Sequence, residues 1–289
     1  MARPRPITRR RLLGLALTTG VVGGTVALRD TRWVEVTRHR QVLPGLEPGH
    51  PPIRVVQLTD LHRGPFVDEG YLRRVADLAM EQKGDLVLVT GDFVSRKWDY
   101  AVSCARALSV LSAPMGVWGV WGNHDHYAGR MPKIRATMDG IGLRVLVNES
   151  AALEPGLYLA GFDDHDTMGM DPERAFRTVP KRAAAIVMGH NPLEFGGMRL
   201  HSGVMFSGHT HGGQVAIWPV PALVAGATQG RVAGWYSAPG ARLLVNRGIG
   251  TVNLPFRMFS RPEVAVVDLV ADDEPPVRQG LKARDRGTT

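Results

Sequence analysis

Short apolar runs recur along the chain, separated by amphipathic stretches. Ile53–Thr59, Leu86–Thr90, Val117–Trp121, Ala185–Met188 and Val204–Ser207 are each of strand length and nearly continuous in apolar character, as buried strands of a parallel sheet are. Between the first two, residues 68–83 carry Tyr71, Leu72, Val75, Leu78 and Ala79 on one helical face, with Asp68 placed to cap the N-terminus. Ala101–Leu111 repeats the helical pattern and contains the chain's one cysteine, Cys104, which reads as a buried structural residue. This alternation predicts βαβ units and parallel strands. Further on, Pro132–Asp139 reads as a short helix, and Leu143–Val147, Leu157–Ala160, Arg242–Asn246 and Val264–Val270 read as strands. Upstream, Trp33–Val36 alternates like an edge strand, and Pro44, Pro48, Pro51 and Pro52 then break regular structure. The resulting division is a leader at 1–28, a linker or edge segment at 29–52, one domain at 53–271 and a charged, disordered tail at 272–289.

The polar residues that end these runs carry the chemistry. The first run ends in Asp60-Leu61-His62, the second in Gly91-Asp92, the third in Gly122-Asn123-His124-Asp125. The fourth ends in Gly189-His190 and the fifth in Gly208-His209-Thr210-His211. Each delivers a carboxylate, amide or imidazole at a strand's carboxyl end, where open α/β sheets build their sites. Four have a glycine just before the polar group, where the backbone must turn sharply or approach closely.

In this order the blocks resemble the signature of the calcineurin-like metallophosphoesterases: Asp-x-His, Gly-Asp, Gly-Asn-His-Asp, a lone His, then Gly-His-x-His. The resemblance covers roughly residues 53–270. It implies a four-layer α/β/β/α sandwich of two mixed sheets, with a dinuclear metal site at the strand carboxyl ends. It implies that Asp92 bridges the two ions, that Asp60, His62 and His211 complete the first position, and that Asn123, His190 and His209 complete the second. His124 would then be the general acid that protonates the leaving oxygen, with Asp125 orienting its ring. Mixed oxygen and imidazole donors suit Mn, Fe, Zn or Co, and two such ions can activate water against a phosphate ester. Without a thiolate among the donors, a zinc-finger-type structural site is disfavoured.

Charge and the leader add a location. Residues 1–27 hold five arginines and no acid, so five of the formal charges behind the net +8 belong to them. Thr8-Arg9-Arg10-Arg11-Leu12-Leu13 resembles a twin-arginine export motif, followed by the uncharged stretch Leu12–Leu28. Cleavage near Thr25-Val26-Ala27 or retention as an anchor both fit this stretch. The enzyme is therefore expected to be exported by the twin-arginine machinery and to work in the cell envelope, in association with the membrane. The segment Trp218–Ala225 is apolar and broken by prolines; it reads as a flap that packs on the core or faces a lipid-linked substrate. Arg247-Gly248-Ile249-Gly250 and Asn253-Leu254-Pro255-Phe256-Arg257 resemble a segment of the exported subgroup of the family. No basic-aromatic stretch marks a nucleic-acid groove, which argues against a nuclease. A non-catalytic metal-binding envelope protein is the other alternative, and His124 counts against it.

Remaining histidines and acids are assigned blandly. Asp163-Asp164-His165-Asp166, at another strand end, reads as a polar or substrate-side loop. His126 reads as a wall residue, and His39, His50 and His201 as surface residues.

Overall fold

A computed structural model describes residues 30–217 and 225–272. The leader, the tail beyond Asp272, and all of the apolar segment except Ala225 lie outside the described residues. Twelve strands are assigned: β1 Glu35–Val42, β2 Ile53–Leu58, β3 Leu86–Thr90, β4 Val117–Val120, β5 Leu143–Val145, β6 Glu149–Glu154, β7 Leu157–Gly161, β8 Ala184–Met188, β9 Gly203–Ser207, β10 Gly234–Ala238, β11 Ala241–Val245 and β12 Glu263–Val270. They form two six-stranded sheets, ordered β1-β12-β2-β3-β4-β5 and β10-β11-β9-β8-β7-β6. Both are mixed. In the first, β12 runs antiparallel to β2 among otherwise parallel neighbours. In the second, β6 and β10 pair antiparallel at the two edges.

The layers follow from which faces are apolar. Helices α1 (Glu69–Met80), α2 (Ala101–Leu108), α3 (Asn123–Ala128), α4 (Met131–Asp139) and α5 (Pro172–Ala175) join the strands. Asp68 caps α1 by accepting from the Tyr71 amide, and Tyr71, Leu72, Val75 and Ala79 are buried against the first sheet. Val55, Leu86, Leu88 and Val120 of that sheet meet Leu159, Ile186, Val204 and Phe206 of the other in the central layer. Phe162, Phe176, Phe195 and Met198 cover the far face of the second sheet. The order helix, sheet, sheet, helix is the expected four-layer sandwich. Strands β3, β8 and β9 are buried at every residue, which is why they appear as unbroken apolar runs rather than alternating ones.

Within the segment expected as linker or edge, the chain forms a strand. Glu35–Val42 is an edge strand of the first sheet, paired with β12 from Glu35↔Glu263 to Val42↔Val270. Its sequence, EVTRHRQV, is polar and half-exposed, as edges that must avoid further pairing tend to be. That polarity hid a full strand, of which Trp33–Val36 showed only the start. Two further strands, β6 and β10, are also edges with weak apolar patterns and were not expected.

Candidate metal centre

The carboxyl ends of β2, β3 and β4 meet those of β8 and β9 across the interface between the sheets. Gln57 donates its amide to Ser207 O at 3.0 Å, and His190 Nδ1 lies 2.8 Å from Thr90 O. The Asp60 carboxylate accepts the His209 amide at 3.0 Å to both oxygens. These bonds fix the two sets of strand ends against each other.

Close approach explains the glycines. An alanine at Gly91, where φ is +92°, would place its Cβ 2.6 Å from His190 Nδ1 and 2.8 Å from the Gly122 amide. One at Gly208 would strike Thr59 and Asp60. The polar residues themselves are held in an uncommon conformation. Asp60, His62, Asp92, His209 and His211 all have positive φ, from 47° to 71°. Left-handed backbone costs a non-glycine residue about 1–2 kcal/mol. Five such residues at one sheet edge mark a place where geometry overrides local preference.

The structure brings together Asp60, His62, Asp92, His190, His209 and His211, six of the seven residues expected to bind metal, and His124 with them; Asn123 directly precedes His124 on α3. Asp60, His62 and His211 offer one donor atom each within 4.8 Å of one another, and so do Asp60, Asp92 and His190. His62 Nε2 and His190 Nε2 both lie 3.3 Å from Asp92 Oδ2. That oxygen sits between the two groups of imidazoles. His62 Nε2 and His211 Nε2 face each other at 3.0 Å, and His209 Nδ1 and His190 Nε2 at 3.3 Å. Asn123 Oδ1 is buried with no hydrogen-bond partner among the described residues. A bare buried amide oxygen costs ~1–3 kcal/mol, and a cation would satisfy it. The donor set therefore fits two divalent ions.

Electrostatics agree. Burial pushes His62 down to about 3, and burial with the charge of His190 pushes His209 down to about 4. Burial also drives His211 well below its ordinary value. These rings are held neutral, which is the form that binds metal. Burial and the neighbouring Asp92 raise Asp60 to about 6. Burial opposes ionisation of Asp92 too, but His190 and His62 outweigh it and hold that carboxylate well below its usual range.

Each imidazole is backed differently. Thr90 O stands behind His190. Asp166 Oδ2 lies 3.5 Å from His209 Nε2, and its other oxygen accepts from the Asn191 amide at 3.0 Å. Behind His211, the guanidinium of Arg257 reaches Nδ1 at 3.1 Å. Arg257 is fully buried and donates to carbonyls of Gly250, Arg247 and Ser260. Residues 166 and 257 thus contribute to the centre although neither belongs to the five strand-end blocks. The polar loop after β7 gave a hint of the first, and an arginine in the Asn253–Arg257 segment a hint of the second.

The expected pairing of Asp125 with the His124 ring is corrected. Asp125 is buried and accepts from the backbone amides of Val94 and Gly122 at 3.1 and 3.0 Å. The carboxylate ties the start of α3 to the end of β3. The His124 ring is held by Ser95 O, 3.1 Å from Nδ1. A carbonyl only accepts, so Nδ1 carries a proton and Nε2 is the nitrogen left to exchange one. His124 also lies within the 4.8 Å compass of His62 and Asp92.

His126 Nε2 lies 2.9 Å from Asp163 Oδ1. His201 is corrected from surface to interior: it is buried and stacks on Phe176, with ring centroids 5.3 Å apart. Cys104 is buried, as expected.

Comparison with known proteins agrees with this geometry. The family model for calcineurin-like phosphoesterases matches residues 53–213. The chain belongs to that family. It is 30% identical over 275 residues to phosphodiesterase YaeI of Escherichia coli, covering 91% of this chain and 100% of that one. It is 27% identical over 263 residues to the uncharacterized metallophosphoesterase YkuE of Bacillus subtilis, covering 88% and 92%. The UDP-2,3-diacylglucosamine pyrophosphatase LpxG of Chlamydia muridarum is 24% identical over 273 residues, covering 74% and 83%. The protein is a dinuclear metal-dependent phosphoric ester hydrolase.

Proposed function

We propose that this enzyme is a phosphodiesterase in which Asp92 bridges two divalent ions. Asp60, His62 and His211 complete one position, and Asn123, His190 and His209 the other. When bound, the ions would supply Lewis acidity and lower the pKa of a water. His124 Nε2 protonates the leaving oxygen. The observation that carries this reading is the position of Asp92 Oδ2, 3.3 Å from an imidazole of each group. The likeness to phosphodiesterase YaeI supports diester over monoester chemistry.

A lipid-linked substrate and an envelope location belong to the same proposal. A cavity of about 490 Å³ is lined by His209 and His211 on one side and by Val215, Leu254 and Phe256 on the other. Its apolar wall suits an apolar substituent on the ester. The likeness to a pyrophosphatase named for a diacylated sugar nucleotide points the same way.

The test is hydrolysis of a chromogenic monoester and diester side by side by purified, metal-analysed protein. Diester hydrolysis is expected, abolished by chelator and restored by added Mn²⁺. Asp92→Asn is expected to lose metal and activity together. Monoester hydrolysis alone, or an Asp92→Asn protein that keeps two ions and full rate, would overturn the reading.

A further inference from the structure

A second cavity opens beside Ser95, whose carbonyl holds the His124 ring. It holds about 390 Å³ and is lined in part by Phe66, Ser95, Arg96, Lys97, Tyr100 and Asn253. It differs from the apolar cavity beside His209 and His211 in charge. Two cations line it and no acid does; Asp99, in the same short helical turn, is not part of the wall. A third cation stands close by, since the Arg63 guanidinium lies over the Tyr100 ring, 4.9 Å from its centroid.

The two cavities are tied to different parts of the chemistry. Ser95, whose carbonyl holds the His124 ring, lines the cationic one. His209 and His211 line the apolar one. Val252 and Asn253 line both, and Arg96 donates to Asn253 Oδ1 at 3.1 Å along that seam. A diester has one substituent that leaves and one that stays. In hydrolysis the water oxygen bonds to phosphorus and gives up a proton to solvent, the bond from phosphorus to the leaving oxygen breaks, and a proton passes from His124 Nε2 to that oxygen; His124 then regains a proton from solvent. The departing group therefore lies on the His124 side, which leaves the apolar cavity beside His209 and His211 to the retained group.

We propose that the cavity between Phe66 and Tyr100 receives the leaving group, and that Arg96 and Lys97 select one carrying its own negative charge, as a phosphorylated alcohol does. This rests on the reading of His124 as the proton donor. It adds a direction to the site: apolar substituent retained, anionic substituent released. Planar groups are also accommodated, because Phe66 is 52% exposed and Tyr100 forms part of the same wall.

Matched substrates test this. Methyl 4-nitrophenyl phosphate has a neutral leaving phenol, and methyl 3-carboxy-4-nitrophenyl phosphate an anionic one. A third diester carries the carboxylate on the retained alkyl group instead. The anionic-leaving substrate is expected to have a kcat/KM about tenfold above the neutral one, the scale of two exposed ion pairs. The preference should shrink as salt is raised. In Arg96→Gln/Lys97→Gln the ratio should fall to near one, whereas Arg96→Lys/Lys97→Arg should keep it. An equal kcat/KM for neutral and anionic leaving groups in the wild type, or an unchanged ratio in the Gln variant, would overturn the proposal. So would a preference that follows the carboxylate on the retained side. In each of these cases neutral-diester hydrolysis persists and the phosphodiesterase reading stands. Failure to cleave any of the three would sink that reading, and this inference with it.

Discussion

In the proposed mechanism, single residues such as His124 and Asp166 divide the work of the centre. With Nδ1 given to Ser95 O, His124 would keep Nε2 for proton transfer. His124→Ala is expected to retain its metal and to lose ~10²–10⁴-fold in rate, the usual contribution of a general acid. The loss should shrink for esters with good leaving groups, which need little protonation. Metal loss in this variant would instead make His124 a ligand, a role its nearness to His62 and Asp92 makes worth measuring. Asp166 acts from behind. By accepting from His209 Nε2 it would leave Nδ1, the nitrogen that faces His190, free to bind metal. Outer carboxylates of this kind are worth ~10–100-fold in metal affinity. Equilibrium dialysis of Asp166→Asn against Mn²⁺ should show one equivalent weakened by about that factor and the other unchanged. Two equivalents bound as in the wild type would refute this role.

At the level of elements, the strand ends were legible and their supports were not. Every block that ends β2, β3, β4, β8 or β9 could be read, because buried strands are unbroken apolar runs and the polar residue after them stands out. The edges β1, β6 and β10 were read poorly because half-exposed strands carry mixed sequences. Ser95 O could not be read at all, since a backbone carbonyl has no sequence signature. Arg257 was noticed only within a motif, because its contact with His211 spans a sequence separation of 46. The short helical stretch Pro192–Leu200 shows what such support costs. Glu194 accepts from the Asn191 and His165 amides through Oε1, while Oε2 is buried without a partner among the described residues. Burial and the nearby Asp164 push its carboxyl from 4.5 up to about 8. Between those values the folded, metal-free protein keeps a proton that the unfolded chain releases. Its stability should therefore fall as pH rises through that window and level off above it. Glu194→Gln removes this titration. Thermal unfolding of metal-free protein should show the variant gaining on the wild type by at least ~3 °C between pH 5 and pH 8.5. A constant difference across that range would refute the assignment.

The architecture of the whole molecule bears on where the enzyme works. Among the described residues no helix is long and apolar enough to cross a membrane. We propose that residues 1–29, with Arg9-Arg10 before the uncharged stretch Leu12–Leu28, carry an export signal. The rest of the chain gives a reason for the twin-arginine route in particular, which carries folded proteins. The centre is assembled from five strand ends drawn from both sheets, with donors as far apart in sequence as Asp60 and His211. Such a site exists only after the sandwich has closed. A protein exported in folded form can acquire its ions before export, under conditions that differ from those outside. The expected outcome is export of the wild type to the envelope and retention of an Arg9→Lys/Arg10→Lys variant in the cytoplasm, measured by fractionation of native protein. The retained variant should still contain two ions per chain, because the substitutions lie far from the donors in sequence. If both proteins stay in the cytoplasm, the export proposal fails. If the retained variant is folded but metal-free, export survives and loading before export does not.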